Sequence, residues 1–465
     1  MGCVPGSVAQ EHNLFIDRCC MKNHGLVSGR DRFYFGGKIV FRSCHEGWLA
    51  ISVETANWIV LTSDSQRSML EQLIDGWTVG EVYNTLDSES SRDELKKLLA
   101  SITARDFARI DQRPLPQFLE GYKMLNCYIT NACNLRCKHC FMNSGVSLKN
   151  ELSLSEWEHV LSCFKKAGGE SVTFSGGEPL MKKSFLDIVK YAHNIKLNVT
   201  ILTNGLLWSC KIIEEIAPYV SEVQISIDGV DESSNAVVRG AGHFEKVVES
   251  VIAFANVGVR TSVATTFTFD NLQRDSPMLY KSMVEVIKAR CKNPVFFKLS
   301  KKILSGRGTH YSEEQNRTFY NKILEIEKAV DKDASFNNFM EGHTPNLVAR
   351  NCGFGGISIG ADGEVYFCNR ISEVNSYGNV RDNDIEYFMK KGHDLYITTS
   401  VDNIIPCRDC HLRYICSGGC RIDDCNIKGR LSKDDEEIIQ IKCNDDYINS
   451  LERKMIDSFM YYYKF

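Results

Sequence analysis

The chain reads as an α/β protein: a parallel sheet with crossover helices, carrying smaller units at both ends. Two observations predict this. β-like runs alternate with helical runs: Val172 to Phe174 then Phe185 to His193, Val199 to Leu202 then Ile212 to Tyr219, and Val223 to Ile227 then Phe244 to Ala255. That alternation is the pattern of βαβ units. Each strand also runs into a polar or glycine-containing segment, namely SGGEP after Phe174, TNG after Leu202, and Ser226 to Gly229. Parallel sheets gather ligands at the carboxyl ends of their strands, so these segments are expected along one rim. At 465 residues the chain exceeds one ordinary domain, and 43% hydrophobic content supports full-sized cores.

Ahead of the first of these strands, TNACNLRCKHCFM places Cys133, Cys137 and Cys140 at C-x3-C-x2-C. Three thiolates leave one iron of a four-iron cluster without a protein ligand, the mark of an open site. A zinc site with a distant fourth ligand is the alternative. In SGGEP, the glycines let backbone approach a ligand closely, and Glu178 can accept from an ammonium group. Taken singly, GGEP, TNG and Asp228-Gly229 read as ordinary turns. Their joint occurrence, in this order after successive strands, points to a site.

These motifs together resemble the radical S-adenosylmethionine (SAM) enzymes. The resemblance implies a partial (β/α)6 TIM-like barrel over residues 120–308. It implies a [4Fe–4S] cluster on Cys133, Cys137 and Cys140 whose free iron SAM chelates, and a 5′-deoxyadenosyl radical that strips hydrogen from unactivated C–H bonds. Gly177, Glu178, Thr203, Ser226 and Arg239 are then expected to hold SAM, with Asn204 and Asp228 at the same strand ends and His139 near the adenine.

A second set of cysteines lies in the C-terminal third, spaced C-x10-G-x4-C from Cys352 to Cys368, C-x2-C-x5-C-x3-C from Cys407 to Cys420, then Cys443. This resembles the seven-cysteine SPASM signature of radical SAM enzymes that act mostly on peptides or proteins, expected here over residues 346–465. The resemblance implies two auxiliary [4Fe–4S] clusters, three clusters in all: Cys352, Cys368 and Cys420 for one auxiliary cluster, Cys407, Cys410, Cys416 and Cys443 for the other. The first is one ligand short, because Asn346 stands where some relatives have a cysteine; either that cluster keeps an open iron, or another residue such as Cys425 or His343 fills the place. A four-thiolate zinc site on Cys407, Cys410, Cys416 and Cys420 is the rival reading. GFGG and GADG lack the order of a nucleotide-binding loop and read as turns.

Net charge of −4 gives no electrostatic footprint for nucleic acid. No apolar run of 18 residues appears, and no basic-then-apolar signal opens the chain, so no membrane partner is expected. MGCVPGS misses the myristoylation pattern at residue 6. Ten of 19 cysteines fall in cluster spacings, which favours a reducing, cytoplasmic setting over a disulfide framework. Cys127 and Cys291 are the weak candidates for a catalytic hydrogen-atom donor. Cys19, Cys20, Cys44, Cys163 and Cys210 are read as ordinary thiols.

Residues 1–29 show no periodicity and are expected to be an arm. Over residues 30–112, Arg32 to Phe35, Ile39 to Arg42, Trp48 to Ser52 and Trp58 to Leu61 read as strands. Three helices follow, capped at Ser63-Asp64, opened by Gly76 to Thr78, and opened by Ser90-Ser91. This order resembles the winged-helix-like peptide-recognition element of ribosomal-peptide maturases, which takes a leader peptide as an added strand. A structural cap or dimerisation domain is the alternative. Residues 309–345 are expected to be a helical linker.

The combined expectation is an oxidoreductase that abstracts hydrogen from a precursor peptide with a leader sequence and installs a C–C, ether or thioether crosslink, its electron coming from a flavodoxin or ferredoxin. The alternatives are a peptide epimerase, a formylglycine-forming sulfatase maturase, or a zinc-stabilised peptide-binding scaffold without enzyme activity. The general base is unassigned.

Overall fold

The computed structural model describes residues 27–110, 112–113, 117–118, 123–273, 276–427 and 437–463. Most of the expected N-terminal arm, with Cys19 and Cys20, lies outside the described residues.

Strands β1 (Ile39–Cys44), β2 (Gly47–Ser52) and β3 (Asn57–Leu61) form an antiparallel meander. Gly47, at φ +130°, makes the first turn possible, since a Cβ there would strike the Leu61 carbonyl. Helices α1 (Asp64–Ile74), α2 (Val79–Asn84) and α3 (Glu89–Ala104) follow. Ser63 caps α1, and Thr78 with Glu81 forms a capping box on α2. The cap of α3 is Ser88, two residues before the expected opening at Ser90, because its hydroxyl already satisfies the Ser91 amide.

The parallel sheet consists of β4 (Met124–Tyr128), β5 (Ser171–Ser175), β6 (Asn198–Thr203), β7 (Glu222–Ser226), β8 (Arg260–Thr265) and β9 (Val295–Leu299), adjacent in sequence order. Alternation of buried residues, as at Val172 and Phe174 or Val199 and Ile201, sets the register of each strand. The intervening helices are α4 (Leu154–Lys166), α5 (Phe185–Asn194), α6 (Cys210–Ile216), α7 (Glu232–Arg239), α8 (Phe244–Asn256) and α9 (Ser276–Arg290). On α5, Phe185, Ile188, Val189 and Ala192 form the buried stripe that a 3.6-residue period gives.

Helices α10 (Glu313–Val330) and α11 (Ala334–Glu341) occupy the expected linker. Beyond them, β10 (Ser358–Ile359) pairs in parallel with β4 and turns back antiparallel into β11 (Val365–Tyr366), so the main sheet runs past residue 308 and takes in C-terminal residues. Helix α12 (Ile385–Thr398) follows, and the last helix, α13 (Asp445–Tyr462), returns to the N-terminal meander. Met455, Ile456 and Phe459 share one core with Trp58, Leu49 and Leu99, and Trp58 Nε1 donates to the Met455 carbonyl at 3.0 Å. The N-terminal meander and the last helix are therefore one packed unit. Among the described residues no helix is long and apolar enough to cross a membrane.

Candidate active site

The loop from Ala132 to Ser144 leaves the end of β4 and is pinned on two sides. On one side, Gly177 N–H and Glu178 N–H donate to the Thr130 and Ala132 carbonyls, both at 2.8 Å. A Cβ on Gly176 or Gly177 would strike those same carbonyls. The sequence suggests that these glycines let backbone approach a ligand; the close approach seen in the fold is to the base of the cysteine loop, and both glycines also line the cavity described next. On the other side stands Arg307, from a Gly-Arg-Gly segment after β9. Its Nη1 donates to the Cys137 carbonyl at 3.1 Å, its Nε to Asn143 Oδ1 at 2.8 Å, and its Nη2 to the Ser144 carbonyl. Gly306 fits only without a side chain, a Cβ lying 2.6 Å from the His139 carbonyl. The sequence reading missed Arg307; the two glycines flanking an arginine were the available signal.

Cys133, Cys137 and Cys140 line one cavity of about 380 Å³. Its other wall is the rim of the sheet: Gly176 and Gly177 after β5, Thr203 and Asn204 at β6, Ser226 and Asp228 at β7, Thr266 after β8, and Ser300 and Lys302 after β9. His139 and Arg239 also face it. The motifs read along the sequence thus meet at one rim, as strand-end placement requires.

Asp228 is the node of this rim. Its side chain is 1% exposed, and it accepts from Arg239 Nε at 2.6 Å and from the Thr266 amide at 2.7 Å, with His139 Nε2 at 3.1 Å. Burial alone would raise its pKa, but Arg239 and then His139 more than offset it and hold the carboxyl down to about 2. Arg239, expected to hold SAM, is already partnered at Nε, leaving only the rest of its fork for a ligand.

Glu178 does not line the cavity. It is fully buried, with Thr203 Oγ1 donating to Oε1 at 2.7 Å and the Asn204 amide to Oε2 at 2.8 Å. Burial raises its pKa to about 7 despite those bonds. In this fold Glu178 fixes Thr203 and Asn204, and Asn204 Nδ2 in turn reaches Asn134 Oδ1 in the cysteine loop at 2.8 Å.

Neither candidate hydrogen-atom donor reaches the cavity. Cys127 lies in the hydrophobic core at 0% exposure, on the strand and not beyond its end. Cys291 follows α9 and precedes β9, at the amino ends of the strands, opposite the cysteine loop.

The C-terminal cysteines fall into two groups. Cys352 and Cys420 are close neighbours, with Cys368 next to Cys420. Cys407, Cys410, Cys416 and Cys443 are mutual electrostatic neighbours. Cys425, buried, neighbours Cys420 and also Cys407. His343 is not available as a ligand: its Nδ1 faces the Phe339 carbonyl at 2.7 Å and its Nε2 the Ile415 carbonyl at 3.1 Å. Asn346 adopts φ +65° and turns its amide to Asp106, away from these thiols.

The donor sets suit thiolate-bound clusters. Backbone amides two residues on donate to Cys133, Cys410 and Cys416 Sγ, each at 3.4 Å, and a buried arginine, Arg239, stands by Cys137 and Cys133. His139 Nδ1 is buried without a partner among the described residues, an unmet polar atom beside the cavity.

Residues 127–279 match the family model of the radical SAM superfamily. The chain carries a radical SAM domain. The chain is 30% identical over 199 residues to the sporulation killing factor maturation protein SkfB of Bacillus subtilis, covering 41% of this chain and 48% of SkfB. It is 26% identical over 276 residues to the mycofactocin maturase MftC of Mycolicibacterium smegmatis, covering 55% and 68% respectively. The matched region thus spans about half the length of SkfB and about two thirds of MftC. The crystal structure of Streptococcus suis SuiB bound to S-adenosylmethionine superposes on 84% of this chain and 96% of its own at a TM-score of 0.47 and 16% identity.

Proposed function

We propose that this chain is a radical SAM peptide maturase that abstracts hydrogen from a ribosomally made precursor peptide and installs an oxidative crosslink. The observation that carries the reading is the single cavity in which three cysteines face the strand-end residues Thr203, Ser226 and Asp228, with Arg239 from α7 beside them. Similarity to two proteins named as maturation enzymes supports a peptide substrate.

Cys133, Cys137 and Cys140 hold the SAM-binding cluster, in a partial barrel formed by β4 to β9. Cys352, Cys368 and Cys420 hold one auxiliary cluster and Cys407, Cys410, Cys416 and Cys443 the other, in a SPASM-type unit. When bound, these groups supply one-electron cleavage of SAM to a hydrogen-abstracting fragment and accept the electron released as the crosslink forms. The residues of this chain orient SAM. Thr203 and Ser226 line its site, Glu178 holds Thr203 in place, and Asp228 holds Arg239 and His139, whose Nδ1 is left for the ligand. The backbone of the GGE segment keeps the cysteine loop against the sheet.

The meander and helices at the N-terminus serve as a winged-helix-like element for the leader. Among the described residues β1 is paired on one edge only, so its other edge can take an added strand. A flavodoxin or ferredoxin in the cytoplasm supplies the electron. Crosslinking is favoured over epimerisation because Cys127 and Cys291 lie away from the cavity.

The test is anaerobic reconstitution of the full chain, then incubation with SAM, a strong reductant and short peptides encoded beside its gene, read by high-resolution mass spectrometry. Loss of two hydrogens from a peptide supports the reading. Unchanged mass with uptake of solvent deuterium means epimerisation instead, and no altered peptide contradicts a peptide maturase.

A further inference from the structure

A line of charged side chains runs from the cavity to the sulfur of Cys420. Lys302, at the cavity wall, pairs with Asp423 Oδ2. The same carboxylate accepts two bonds from Arg370, Nη1 at 2.7 Å and Nη2 at 3.1 Å. Arg370 Nη1 also lies 3.5 Å from Cys420 Sγ, and its Nε donates to Glu373 at 2.9 Å. The Arg370 side chain is 14% exposed and that of Asp423 20%, so solvent screens this pair little, whereas Lys302, 45% exposed, is the more screened end of the line. Two cations and two carboxylates balance, and the guanidinium is aimed at the thiol by carboxylates on both sides.

We propose that Arg370 and Asp423 set the reduction potential of the auxiliary centre at Cys352, Cys368 and Cys420, and that Lys302 makes that potential sensitive to charge in the SAM-side cavity. This rests on the assignment of those cysteines as cluster ligands. A cation and an N–H donor at a ligand sulfur stabilise the more negative, reduced cluster and raise its potential; an anion does the reverse. Removing Arg370 leaves the group with a net negative charge, and removing the Asp423 charge leaves it net positive. The two changes are therefore opposite in sign. Loss of the Lys302 charge acts in the same direction as loss of Arg370, more weakly, since it lies one residue further from the sulfur.

The experiment is a redox titration followed by electron paramagnetic resonance on full-length, cluster-loaded protein in which Cys133, Cys137 and Cys140 are alanine, so that only auxiliary signals remain. Arg370→Gln is expected to lower one auxiliary potential and Asp423→Asn to raise the same one. Each shift is expected to be about tenfold in reduced fraction at fixed potential, about 59 mV. Arg370→Lys falls between wild type and Arg370→Gln, and the other auxiliary signal stays put. Loosening of the loop would move both variants the same way. That result, or no movement in either with both signals present, overturns the proposal. Absence of any auxiliary signal, with iron at about four per chain or fewer before the cysteines are replaced, overturns the cluster assignment and the proposal with it.

Discussion

Asp228 and Arg239, eleven residues apart, meet at 2.6 Å in the floor of the candidate active site, both essentially out of solvent. One member comes from the end of β7 and the other from α7, so the pair fixes the helix to the strand end while His139 approaches the same carboxylate from the cysteine loop. Removing one partner of a buried pair strands the other charge, at a cost of about 3 kcal/mol. Asp228→Asn is expected to lose about that much local stability. The Thr266 amide, which donates to Asp228, should exchange with solvent on the order of 100-fold faster in the variant. Unchanged protection at Thr266 would contradict the pairing.

The same pair predicts an acid response. The Asp228 carboxyl has a pKa of about 2 in the fold against an ordinary 3.8. Its contribution to stability is therefore complete above about pH 3.8 and is lost as pH falls through about 2. Melting temperatures of wild type and Asp228→Asn should converge across that window and stay apart above it.

Glu178 predicts the opposite slope. Its pKa is raised to about 7 from 4.5, so between those values the native state keeps a proton that the unfolded chain has released. Its contribution falls as pH rises from 4.5 through 7 and is level above, about 3 kcal/mol in all. Glu178→Gln should remove that slope from the pH profile of unfolding. A variant with the wild-type slope would mean that another group titrates.

Arg307 predicts a loop effect. With its three contacts to residues 137, 143 and 144 gone, Arg307→Ala should lower iron incorporation at Cys133, Cys137 and Cys140 and speed amide exchange between Cys137 and Ser144. Lysine keeps the charge but not the fork, so Arg307→Lys should recover little. Wild-type iron content and exchange in Arg307→Ala would contradict the brace.

Cys127 predicts a negative. It packs in the core among strands, so Cys127→Ala should cost about 1 kcal/mol and leave 5′-deoxyadenosine formation unchanged. Loss of activity in a folded Cys127→Ala would restore it as a hydrogen-atom donor.

What the sequence made legible was local. Runs such as Val172 to Phe174 and Val199 to Leu202 announced their strands as β-rich stretches alternating with helical runs, and the cysteine spacing lay within one short loop. The chain could not announce contacts between distant segments. Arg307 lies 170 residues from Cys137, and Arg370 lies 50 from Cys420. Trp58 and Met455, which join the meander to the last helix, are 397 apart. A motif also states residue type but not direction: the fold sets the backbone of Gly176 and Gly177 against Thr130 and Ala132 while both glycines line the cavity, and it turns the Glu178 carboxylate to accept from Thr203 and Asn204.

The most direct test of the central claim is formation of 5′-deoxyadenosine from SAM by the anaerobically reconstituted, reduced chain, compared with the Cys137→Ala variant. Steady production by wild type carrying about twelve irons, three clusters of four, and none by the variant is the expected result. Fully iron-loaded wild type that makes no 5′-deoxyadenosine, or a variant that makes as much as wild type, would contradict it.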